Sequence, residues 1–238
     1  MDEKIIIERR YCGPPDSGNG GYTCGQLASY IDGTAEVTLR QPRLFDRILK
    51  VEPREGSSVR LLDGNDVIAV ANKIEFSLDG AEKLAFEEAQ IASRTFTGFH
   101  AHPFPACFVC DPNRFEGDGL RIFPGVLVGK NAVAAPWIPD PSLADDMGNV
   151  RSAFIWAALD CPGGYAVRET VRETMKHSVV LGRMATKIFG SIQAGEQCVI
   201  VGWPISVDGR KHLAGTALYS GQGTLIGLAR ATWISVET

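Results

Sequence analysis

The chain has 238 residues, of which 45% are hydrophobic and 22% charged, with a formal net charge of −4. This composition excludes a disordered chain, and dispersed Lys and Arg with a net negative balance exclude a nucleic-acid-binding footprint. No apolar run approaches the ~20 residues of a membrane-spanning helix, and the start, Met1 to Gly13, is neither a secretory signal nor a transit peptide, so a cytoplasmic protein that engages no membrane is expected.

In chain order, Lys4 to Arg9 carries the branched side chains of a strand, and Cys12 to Gly18 is a turn-rich connector. Asn19 stands at an N-cap position before a helix that opens with Gly20-Gly21-Tyr22 and closes at Asp32-Gly33. Strands are expected at Ala35 to Arg40, Arg47 to Glu52, Ser58 to Leu62 and Val67 to Phe76, the last two joined by the hairpin loop Asp63-Gly64-Asn65-Asp66. Helical spacing follows from Ala81 to Ser93, then an irregular Pro- and Gly-rich piece from Phe99 to Gly119. Strands resume at Leu120 to Phe123 and Asn131 to Trp137. A central apolar helix occupies the stretch from Met147 to Gly164, and four longer strands complete the chain at His177 to Ile192, Gln197 to Ser206, His212 to Tyr219 and Thr224 to Val236.

The central helix is apolar all round from Val150 to Leu159, so it must be wrapped by other elements. Pro162-Gly163-Gly164 reads as its stop, which leaves Asp160 at the C-terminal end, where the helix dipole disfavours an anion. The first helix repeats the arrangement: Gly20 to Asp32 spans the same interval as Gly148 to Asp160. The expected domains are an N-terminal unit over 1–80, a linker helix with a Cys/His-containing loop over 81–118, and a C-terminal unit over 119–238.

Asn19-Gly20-Gly21-Tyr22, the stretch from Gly148 to Asp160, and the final strand Leu225 to Trp233 together resemble the double-hotdog, thioesterase-like proteins of the acyl-CoA thioesterase superfamily. The resemblance implies an α+β fold of two tandem hotdog units, each an antiparallel sheet wrapped round a long central helix, with the units paired through edge strands. It also implies an acyl-CoA or related thioester as partner, further association into homo-oligomers, and no required cofactor. One unit would supply a helix start whose free N–H groups hold the thioester oxygen, here Gly20, Gly21 and Tyr22 with Asn19 shaping the turn. The other would supply the carboxylate, Asp160, and Gln222 resembles a Gln that holds the attacking water. Each residue also has a plain structural reading: a capped helix start for Asn19-Gly20-Gly21, a local turn for Asp160, and an ordinary turn for Gln222.

The six cysteines are mostly scattered among apolar neighbours, as buried thiols are. The exception is His100-x-His102 followed by Cys107-x-x-Cys110, whose side chains either complete a structural zinc site or belong to a packed loop. Arg151, Arg183 and Arg230 are candidates to meet CoA phosphates, although salt bridging is the commoner fate of such residues. Two functions remain open: an acyl-CoA thioesterase-like hydrolase with Asp160 as base, or a non-catalytic hotdog protein that binds acyl-CoA or a small lipid-like ligand.

Overall fold

A computed structural model describes residues 3–42, 45–79, 83–170 and 178–236. The strands form one eleven-stranded antiparallel sheet in the order β1-β3-β4-β5-β2-β8-β11-β10-β9-β7-β6. The first half holds β1 (Lys4–Ile6), β2 (Ala35–Leu39), β3 (Ile48–Arg54), β4 (Ser58–Asp63) and β5 (Asp66–Lys73). The second holds β6 (Gly125–Val126), β7 (Val133–Trp137), β8 (Ser178–Ile188), β9 (Cys198–Asp208), β10 (Lys211–Ser220) and β11 (Leu225–Val236). They meet where β2 pairs with β8, from Ala35 opposite Thr186 to Thr38 opposite Arg183. Neither half then presents an open edge at the seam.

Helix α1 (Gly20–Ala28) lies on the first half and α3 (Ser152–Thr170) on the second, and the two helices pack against each other. Their close approach follows from two glycines one turn apart. A Cβ on Gly21 would stand 2.7 Å from the Trp156 carbonyl oxygen, and one on Gly25 would stand 2.7 Å from Ala153 Cα. A third helix, α2 (Phe86–Ser93), covers the other side of the second half with Ala89 and Ala92 against Ala134, Val199 and Val201. Strands covered on both faces need apolar side chains in succession. This accounts for the unbroken buried runs Cys198–Gly202 and Ala214–Ser220.

Four expectations require correction. The central helix does not stop at Pro162-Gly163-Gly164 but runs through them to Thr170, so Asp160 lies in its interior. Pro162 offers no N–H to the preceding turn, yet the helix continues because the sheet holds it: Thr216 Oγ1 donates to the Leu159 carbonyl at 2.8 Å, and Gly163 and Gly164 lie against the Trp233 ring. The register between the two helix starts also shifts. Gly148 sits in a turn with φ 81°, Asn149 and Val150 form isolated bridges with Gln193 and Ala144, and α3 begins only at Ser152. The first helix ends at Ala28, short of Asp32, which is exposed. Finally, Leu120 to Phe123 is no strand. Its amides bond back to the cysteine loop, Leu120 N to the Phe108 carbonyl and Ile122 N to that of Val109, while Arg121 takes a positive φ of 55°. The expected helix start at Ala81 and strand start at His177 lie outside the described residues.

Candidate functional site

Asp160 and the start of α1 come together although 141 positions separate Asn19 from Asp160. Asn19 caps α1 by accepting from Tyr22 N through Oδ1 at 2.8 Å, which leaves its Nδ2 to donate to Asp160 Oδ2 at 2.9 Å. Gly21 N donates to the same oxygen at 2.9 Å. A side chain on Gly21 would destroy the contact, because its Cβ would lie 2.5 Å from Asp160 Cβ. The carboxylate therefore sits at the positive end of a helix dipole, one belonging to α1 and not to its own helix.

Asp160 is 3% exposed, and its second oxygen, Oδ1, is buried with no hydrogen-bond partner among the described residues. Burial pushes its pKa up to about 7, with the Cys107 sulfur adding to the shift and the Gly21 and Asn19 donors opposing it. In the first turn of α1, Gly21 N goes to Asp160, Tyr22 N to Asn19 Oδ1 and Thr23 N to the Asn19 carbonyl. Gly20 N is the first-turn amide without a partner among the described residues.

The other expected site residues divide. Tyr22 contributes its amide to the cap, but its ring is buried among Tyr11 at 4.2 Å and Phe154 at 5.5 Å between centroids, with its hydroxyl accepting from Gln26 Nε2. Gln222 is exposed in the β10–β11 turn and makes no hydrogen bond to Asp160 or Asn19. Arg151 donates to the Leu143 and Ser142 carbonyls, Arg183 pairs with Glu36, and Arg230 lies over the Phe76 ring. An open groove lined by Arg40, Arg54, Arg60 and Val70 lies along the strands of the first half and includes no residue of α1 or α3.

The cysteine loop lies beside Asp160. Cys107 Sγ is 3.6 Å from Cys110 Sγ and 3.8 Å from Cys161 Sγ, and His102 Nε2 is 3.3 Å from Cys110 Sγ. Three cysteines thus form a cluster able to hold a metal ion. Neither the exposed His100 nor His102 belongs to this group of three. Cys161, on α3 directly after Asp160, completes the cluster where a histidine was expected; its distance along the chain hid it from any reading of local spacing. The loop is built to hold its shape: Asp111 accepts from Ala106 N and Asn113 N, and Arg114 reaches the Ala106 carbonyl and Cys12 Sγ.

No protein-family model and no curated protein matches the sequence. Solved structures match the fold. A TesB protein of Mycobacterium avium subsp. paratuberculosis superposes with a TM-score of 0.60 at 13% identity, covering 94% of this chain and 89% of that one. The fold is a double hotdog. An acyl-CoA thioesterase II of Mycobacterium marinum gives a TM-score of 0.59 at 18% identity, over 93% of this chain and 91% of that one. A hot-dog-fold protein of unknown function from Alicyclobacillus acidocaldarius gives 0.58 at 10% identity, over 99% and 93%. In double-hotdog terms, Asp160 lies on the central helix of the second unit and meets the start of the central helix of the first. None of the described helices is long and apolar enough to cross a membrane.

Proposed function

We propose that this protein hydrolyses a thioester of the acyl-CoA class, with Asp160 activating water and the start of α1 receiving the thioester oxygen. The observation that carries the reading is the division of labour within one carboxylate. Oδ2 is fixed by Asn19 Nδ2 and Gly21 N, while Oδ1 has no partner among the described residues and is directed by that anchorage. Oδ1 takes a proton from water as the water oxygen attacks the thioester carbon. Gly20 N–H, one residue before the amide that anchors Oδ2, donates to the oxyanion as the carbonyl bond opens. Collapse of the tetrahedral intermediate breaks the carbon–sulfur bond, and the departing thiolate recovers the proton from Asp160. In this assignment Gly21 and Asn19 position the carboxylate, and Gly20 assumes the carbonyl-donor role. The chemistry needs no cofactor. The description of the M. marinum neighbour as an acyl-CoA thioesterase supports the choice of substrate class.

The test is thiol release from short, medium, long and aromatic acyl-CoAs by the native chain and by Asp160→Asn, which retains an acceptor for Gly21 N. Turnover is expected to fall by roughly 10²–10⁴-fold, the usual contribution of a general base, with binding retained. Unchanged turnover removes Asp160 from the mechanism. A second reading, ligand binding without turnover, draws on the exposed position of Gln222 and the saturated donors at Gly21 and Asn19. It is favoured if acyl-CoA raises the melting temperature but no thiol is released from any substrate.

A further inference from the structure

The spacing of the three sulfurs beside Asp160 matches one kind of occupant. A tetrahedral zinc ion with Zn–S bonds of about 2.3 Å sets its thiolates about 3.8 Å apart. The Cys107–Cys110 and Cys107–Cys161 separations are 3.6 and 3.8 Å, and all three sulfurs lie within 4.8 Å of one another. A disulfide would draw two of them to about 2.05 Å. Cys107 and Cys110 are 3% and 2% exposed, so any ion held there is sealed from solvent on the loop side.

We propose that Cys107, Cys110, Cys161 and His102 form a closed structural site for one zinc ion, which fastens the cysteine loop to the central helix beside Asp160. His102 is the fourth ligand: its Nε2 lies 3.3 Å from Cys110 Sγ, close to the roughly 3.5 Å edge between a nitrogen and a sulfur on one zinc. Its ring stands more than 4.8 Å from at least one of the other two sulfurs and turns in toward them when the ion binds. At present Phe104 N donates to His102 Nδ1 at 3.2 Å. Coordination through Nε2 places the ring proton on Nδ1 and ends that long bond. Zinc displaces the thiol protons into solvent, so no oxidant or reductant is involved. The site does not depend on the hydrolase reading, since none of its four ligands takes part in that chemistry.

The experiment uses the full chain, expressed with added zinc and purified under reducing conditions without metal-affinity resin. Elemental analysis is expected to find about one zinc per chain, falling to near zero in Cys107→Ser and Cys161→Ser. Should these variants unfold, cobalt titration of the stripped native chain still decides. Co²⁺ is expected to produce a thiolate-to-metal charge-transfer band with tetrahedral visible bands, and His102→Ala to shift the visible bands. The absence of both zinc and a cobalt charge-transfer band in folded, reduced protein overturns the site. A disulfide among the three cysteines of freshly isolated protein also overturns it, and visible bands unchanged in His102→Ala overturn the four-residue ligand set. None of these readouts involves turnover, so failure here and failure of the hydrolase reading are separately visible.

Discussion

Asn19 uses both ends of one amide: Oδ1 caps α1 and Nδ2 holds Asp160. Removing the cap costs about 0.5–2 kcal/mol, and leaving a buried carboxylate short of a donor costs about 1–3 kcal/mol more. Asn19→Ala is therefore expected to lose about 1.5–5 kcal/mol of stability, measured by urea unfolding. Asn19→Ser restores the cap but cannot reach Asp160, and is expected to fall between the two. A serine variant as unstable as the alanine variant would show that the cap contributes nothing here. The cap was legible in the sequence because capping is local. Its link to Asp160 was not, since no local pattern announces a partner on another helix. Asp160 itself was picked out, but by a mistaken argument: the supposed helix end is helix interior, and the dipole that matters belongs to α1.

His212 offers a residue-scale prediction about pH. It is 5% exposed on β10, its Nε2 lies 2.7 Å from Ser235 Oγ and its Nδ1 is buried without a partner among the described residues. Burial holds its pKa below the ordinary value of 6.5. The unfolded chain therefore takes up the proton first as pH falls, and stability contributed by neutral His212 is present above about pH 6.5 and is lost below it. Unfolding midpoints measured between about pH 7.5 and 5 are expected to fall more steeply for the native chain than for His212→Gln. Parallel curves would place the pH dependence elsewhere.

Among the elements, the central helix shows how tertiary packing overrides a local signal. Pro-Gly-Gly ordinarily ends a helix, but Tyr165, Ala166 and Val167 beyond it are buried and continue the apolar surface. The two glycines let the helix lie against Trp233, and Gly202 admits the Pro162 carbonyl, since a Cβ there would be 2.5 Å from that oxygen. These glycines read as breakers along the chain and act as contact surfaces across it. The same holds for Gly21 and Gly25 on α1, whose four-residue spacing was the available signal for a close helix crossing. Gly25→Ala separates the two roles. Helix propensity alone predicts a gain of up to about 1 kcal/mol, whereas the added Cβ would lie 2.7 Å from Ala153 Cα and 2.8 Å from Trp156 Cβ. Backbone cannot swing aside as a side-chain tip can, so overpacking wins and a net loss of about 1–3 kcal/mol is expected. A stabilised Gly25→Ala in denaturant unfolding would mean that the helices separate easily at that crossing.

At the scale of the molecule, the two halves are joined twice, by the β2–β8 ladder on the sheet and by α1 against α3 on its inner face. The alternation of strands with two apolar helical stretches, each preceded by a glycine turn in the sequence reading, made the doubled architecture legible, although α3 itself begins only at Ser152. The seam itself depended on the family resemblance, since strand order is not written in local pattern. Such a joint predicts that the halves unfold together. All four tryptophans belong to the second half. Trp156 lies at the helix crossing against Gly25, whereas Trp137, Trp203 and Trp233 lie on β7, β9 and β11, none of which pairs with the first half. In a Trp156→Phe background, tryptophan fluorescence therefore reports on the second half alone. Leu61 lies on β4 of the first half and is fully buried, so Leu61→Ala is expected to cost about 2–5 kcal/mol. If the joint couples the halves, the tryptophan midpoint shifts to lower denaturant by the same amount as the far-UV circular dichroism midpoint. If the first half melts alone, circular dichroism gains an early step while tryptophan fluorescence keeps its native midpoint. The first outcome is expected, because losing the first half would uncover β8 at the sheet edge and strip α1 from the buried face of α3 that carries Trp156 and Asp160.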